Sequence, residues 1–98
     1  MLTFEKVLEV FKDYLAEDDM YEVVVTSHGY AVLEWDSICE DWTGAKHCAT
    51  PQDMRDCLLD DFVSYLEYQA ADENGNIPDD ARAEIEVRRQ TLADRCRE

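Results

Sequence analysis

The sequence predicts an α+β domain in the order α-β-β-β-α-α, a three-stranded antiparallel meander packed against helices. Three observations point there. Residues 21–35, YEVVVTSHGYAVLEW, form the densest apolar run, rich in β-branched and aromatic side chains with a glycine near its middle. Residues 3–17 and 51–70 instead space their apolar side chains at helical intervals. Between them, Thr50-Pro51-Gln52-Asp53 carries the marks of a helix start: Thr as N-cap, Pro at the first helical position and an acid in the positive end of the dipole.

The first helix, residues 3–17, has Thr3 as its cap and Phe4, Val7, Leu8, Phe11, Tyr14 and Leu15 as its apolar stripe. Glu5, Glu9, Lys12, Asp13 and Glu17 take the opposite side, and Asp18-Asp19 closes the helix slightly against its dipole. Strands follow at 21–27 and 30–36, joined around His28-Gly29, where glycine supplies the positive φ of a tight hairpin. Period-two alternation places Tyr21, Val23 and Val25 on one face of the first strand. In the second, it sets Ala31, Leu33 and Trp35 against Tyr30, Val32 and Glu34. A weaker third strand at 42–49 puts Trp42, Gly44, Lys46 and Cys48 on one face and Thr43, Ala45, His47 and Ala49 on the other. Gly44 weakens this strand or marks a bulge, and Lys46 suits a sheet edge.

The second helix, 51–70, has Met54, Leu58, Phe62, Tyr65, Leu66 and Gln69 inward, with Cys57 beside them. Asp53, Asp56, Asp60, Asp61 and Glu67 are placed mostly outward, as a solvated acidic face. Neighbouring acids on a helix point about 100° apart, so Asp60 and Asp61 do not converge on one atom. The last helix, 79–97, has a thin apolar line of Ala81, Ile85, Leu92 and Cys96 and is expected to attach loosely. Its exposed stripe, with Ile85, Arg88, Arg89 and Leu92, and the acids at 53, 56, 60, 61 and 67 are the candidate partner-binding residues.

Ninety-eight residues and 46% hydrophobic content suit a single domain, 1–98, with a modest core. The formal charge is −15. Residues 81–98 hold five Arg against four acids, +1, which leaves −16 on residues 1–80. Such a body repels phosphate and anionic lipid, so direct nucleic-acid or membrane binding is disfavoured. The first twenty residues interleave charge with apolar positions, unlike a signal peptide, and no uncharged run approaches membrane-span length. A cytoplasmic protein is expected.

Cys39, Cys48, Cys57 and Cys96 form no C-x-x-C pair, so reduced thiols without a metal are expected. Residues 70–81 imitate a calcium-binding loop at Asp72, Asn74, Gly75 and Ile77. Ala70 and Ala81 occupy the positions where that loop needs an acid and a bidentate Glu. An Asn-Gly turn explains the same residues. Gly29, Gly44 and Gly75 are too scattered for a phosphate loop. A nucleophile pairing Cys39, Cys48 or Cys57 with His28 or His47 stays open, although adjacent His47 and Cys48 face opposite ways in a strand. The expectation is therefore a protein that is not an enzyme, with no cofactor. It would act as an accessory or protein-interaction module through an unidentified partner or by self-association of the C-terminal helix. The alternative is an acidic mimic of nucleic acid that occupies the basic groove of a DNA- or RNA-handling protein.

The segments TFEKVLEVFKDYLAED, SHGYAVLEWD and TPQDMRDCLLDDFVSYLEYQ resemble a group of small acidic uncharacterised proteins of gut Firmicutes and their mobile elements. That resemblance covers nearly the whole chain and implies a setting, but no activity and no site residues. The order α-β-β-β-α also resembles the double-stranded-RNA-binding domain. Such a domain grips phosphates with lysines at the start of its second helix. Gln52, Asp53 and Asp56 stand there with only Arg55 basic, so the function does not carry over.

Overall fold

The computed structural model describes residues 1–97. It follows the predicted order, with α1 at Phe4–Glu17, β1 at Tyr21–Thr26, β2 at Gly29–Asp36, β3 at Asp41–Cys48, α2 at Pro51–Ala70 and α3 at Asp79–Arg95.

α1 begins where Thr3 Oγ1 accepts the Lys6 amide at 3.1 Å. It buries Val7, Val10, Phe11 and Tyr14, while Phe4, Leu8 and Leu15 are half-covered at the margin of the core. The helix ends on Asp18, which is only 4% exposed. Burying a carboxylate is costly unless its oxygens find donors. Here the Tyr14 hydroxyl donates to Oδ2 at 2.7 Å and the Met20 amide to Oδ1 at 3.0 Å. These two donors explain how an acid is tolerated at the negative end of a helix.

The strands form an antiparallel meander in the order β1-β2-β3. Ser27 and His28 make the first turn. Thr26 Oγ1 accepts the His28 amide and donates to the Gly29 carbonyl, and Gly29 takes a φ of +110°. In the second turn Asp36 Oδ1 accepts the amides of Ile38 and Cys39 at 2.8 and 3.0 Å. The Cys39 and Ile38 donors hold the Asp36 carboxyl below its ordinary range. Register is regular until Glu34 pairs with Gly44 and Trp35 with Trp42, which skips Thr43. This bulge at Gly44 corrects the expected face of Trp42. Glu34 and Trp35 point opposite ways, so their partners Gly44 and Trp42 do too, and Trp42 stacks edge-on with Trp35 at 5.1 Å.

α1 and α2 pack on the face that carries Tyr21, Val23, Tyr30, Val32 and Cys48, and α3 lies against those two helices. α2 crosses β2 and β3, and Phe4 of α1 stacks on Tyr30 at 4.6 Å. The molecule measures 43 × 37 × 18 Å, two layers thick. α2 is the central helix. Thr50 Oγ1 caps it by accepting the Asp53 amide at 3.1 Å. Its buried set is Met54, Cys57, Leu58, Leu59, Phe62 and Leu66. Leu59 joins and Gln69 is exposed, because α2 touches the sheet, α1 and α3 and so buries more than one stripe.

The loosely attached last helix is not observed. α3 docks on α2 and α1. Ile85, Leu92 and Ala93 pack on the core, and Cys96, just past the helix end, is fully buried. The Arg88 guanidinium adds a cation–π contact 5.5 Å from the Phe62 ring centroid. A thin apolar line suffices because these contacts supplement it. No helix among the described residues is long and apolar enough to cross a membrane.

Candidate functional site

The residues proposed from sequence do not form one surface. Asp53, Asp56 and Asp60 are exposed along α2, as expected. Asp56 accepts from Arg55 at 2.9 Å, and Glu67 lies 3.9 Å from Arg82 of α3. Ile85 and Leu92 serve the protein's own core, Arg88 covers Phe62, and Arg89 pairs with Glu86 at 4.0 Å. The stripe assigned to a partner is thus occupied largely by intramolecular contacts.

Asp61 departs from the expected acidic face. It turns toward the sheet and lines a recess of about 300 Å³ with Tyr21, Glu34, Lys46 and Cys57. The Tyr21 hydroxyl donates to Glu34 Oε1 at 3.4 Å, and the Cys57 thiol lies 3.9 Å from Asp61 Oδ2. Burial pushes the Asp61 carboxyl up to about 6, helped by Glu34, Asp60 and Asp18 and opposed by Lys46. Tyr21 is raised to about 12 by burial and then by Asp61 and Glu34. Burial, followed by Asp61, lifts Cys57 to about 11. Tyr14 is raised well above its ordinary value by burial and its bond to Asp18.

The chemistry of this recess follows from those directions. With its carboxyl raised to about 6, Asp61 is the group of the recess that changes charge on mild acidification, while Tyr21 and Cys57 keep their protons. A reactive cysteine needs a depressed pKa, and Cys57 has the reverse. The Cys48 thiol faces the Lys46 carbonyl at 3.7 Å and is also raised by burial, as is Cys96. Cys39 is exposed in the β2–β3 turn. Among the described residues no group of three or more His, Cys, Asp or Glu side chains is placed to hold a metal ion. In the loop that imitates a calcium site, Asp72 Oδ1 is engaged by the amides of Asn74 and Asn76 at 2.8 and 3.0 Å. Gly75 adopts a φ of +81° there, as a turn requires.

A larger feature lies along β1. A groove of about 550 Å³ separates Leu8 and Leu15 of α1 from Glu22, Trp35 and Trp42, with Tyr21 and Val23 between them. Asp18 and Asp19 also line it. Sequence reasoning missed this groove, although its apolar members were visible singly. It arises because α1 leaves Leu8 and Leu15 half-covered beside the edge strand.

No family model, curated protein or solved structure matches the chain. What fold and surface define is a class: a two-layer α+β domain with an acidic body, a one-sided helical cover and, beside an edge strand, a groove of mixed apolar and acidic lining.

Proposed function

We propose that this chain is a small, non-enzymatic accessory module of the cytoplasm that works by binding a protein partner. The observation that supports this reading best is the one-sided cover of the sheet. α1 and α2, backed by α3, close one face, while the β1 edge and its groove keep apolar side chains at the surface. A groove walled by leucine and tryptophan suits a protein segment better than a polar substrate. The inward turn of Asp61, beside a thiol held protonated, is consistent with a structural rather than catalytic recess.

Affinity capture from the host, followed by reconstitution of the complex from purified components, tests the proposal. A defined binary complex is expected. A protein that is monomeric by light scattering and recovers no partner contradicts it.

The second reading, an acidic mimic of nucleic acid, draws support from −16 on residues 1–80 and from the exposed Asp53, Asp56 and Asp60. The inward turn of Asp61 and the ion pairs of Asp56 and Glu67 thin that run of charge. Mimicry predicts competition with nucleic acid for a basic protein and binding that weakens steeply with salt. A panel of basic nucleases showing no such competition removes it.

A further inference from the structure

The phase of the β1–β2 ladder shows which backbone groups face outward. Trp35 donates its amide to the Met20 carbonyl at 2.8 Å, so Met20 and Trp35 are a hydrogen-bonded pair. Hydrogen-bonded and non-bonded pairs alternate in an antiparallel ladder. Glu22, Val24 and Thr26 therefore direct their backbone groups to β2, and Tyr21, Val23 and Val25 direct theirs away from the sheet. Among the described residues no strand pairs with that side of β1.

The two sheet edges are treated differently. β3 carries a bulge and Lys46, both devices that discourage further pairing. β1, YEVVVT, keeps a regular register with three consecutive valines and has neither a bulge nor a lysine; its one charged residue is Glu22. Val25, at its far end, is 73% exposed. Beside that edge lies the groove with Leu8 and Leu15 on one wall; Asp19 and Glu22 are its exposed acids, while Asp18 is buried and held by Tyr14 and Met20.

We infer that β1 is a docking edge for an extended segment of a partner protein in which apolar and basic residues alternate. Added as a fourth strand, the segment pairs with the outward backbone groups of Tyr21, Val23 and Val25. Its side chains then fall alternately on the two faces of the sheet. One set enters the groove against Leu8 and Leu15, and the other lies on the face of Glu22. Charge decides the occupant. A second copy of the chain would bring another −15 against the same acids, whereas lysine or arginine neutralises them. This inference rests on the module reading and specifies its surface.

The test titrates the labelled full chain with an extended heptapeptide of alternating Lys and Val, and with a Glu-Val control, following backbone amides by NMR. Shifts centred on Tyr21, Val23 and Val25, seen with the Lys peptide alone and weakened by salt, are expected. Val23→Pro removes one outward amide at a position where an edge strand tolerates proline, and should reduce affinity at least about tenfold. Glu22→Lys, an exposed change that leaves the fold intact, should weaken binding about threefold to tenfold. Equal binding of both peptides, no binding, or shifts centred on α2 overturns the inference. So does a concentration-dependent dimer that Val23→Pro abolishes, which would place a second copy on the edge. If Val23→Pro still forms the complex made by the wild-type chain with its host partner, the edge inference falls and the module reading stands. If the wild-type chain forms no complex with any host protein, the module reading itself falls.

Discussion

Replacing Asp61 by asparagine should stabilise the fold at neutral pH and lose that advantage in acid. The carboxyl is raised from 3.8 to about 6, first by burial and then by Glu34 of β2, Asp60 of α2 and Asp18 at the end of α1, against partial relief from Lys46 of β3. A raised carboxyl pKa means that the folded state favours the protonated form. The penalty for ionisation therefore starts near pH 4, where the unfolded chain gives up its proton, and grows until about pH 6. Above that it is constant, because Asp61 is ionised in both states. At about 1.36 kcal/mol per pH unit, the full interval corresponds to roughly 3 kcal/mol. Asp61 is only half-buried, so solvent screening reduces the expected gain to about 1 kcal/mol. Asparagine is nearly isosteric and carries no charge. Urea denaturation of both proteins from pH 4 to pH 8 reads the effect. The variant's advantage should rise between pH 4 and pH 6 and then level off. An advantage that is flat with pH, or a variant less stable at pH 7.5, would refute the placement of Asp61 in a desolvated acidic recess.

Three further outcomes follow from the packing. Tyr14→Phe removes the hydroxyl that donates to buried Asp18 at 2.7 Å and should cost about 1–3 kcal/mol in chemical denaturation. Cys96→Asp sets a carboxylate at a fully buried position and should release α3, seen as faster amide exchange across residues 79–95 than in β2. Mild alkylation followed by mass spectrometry should modify exposed Cys39 first, and buried Cys48, Cys57 and Cys96 only as the protein opens.

The meander was readable from sequence because its signals are local. Three consecutive valines, a glycine needing positive φ and a Thr-Pro helix start each act through their own residues. Gly44 marked a bulge, but its consequence, turning Trp42 to the other face, depends on which residue of β3 is skipped. Helical spacing with a single inner stripe for α2 places Asp61 in solvent. A helix touching three neighbours has no single outer face, and the acid beside Asp60 fell toward the sheet. The docking of α3 has a related cause: its thin apolar line, Cys96 included, is supplemented by Ala93 and by Arg88 over Phe62, which a count of that line leaves out. The groove could not be read at all, since it depends on where α1 lies relative to the edge of β1.

Amide hydrogen exchange in the isolated monomer tests the account at its centre, the unpartnered edge of β1. Tyr21, Val23 and Val25 should exchange much faster than Glu22 and Val24, a period-two pattern that fades when a partner strand is added. Uniform protection along Tyr21–Thr26 in the monomer would mean that the edge is already covered, and the docking account would fail with it.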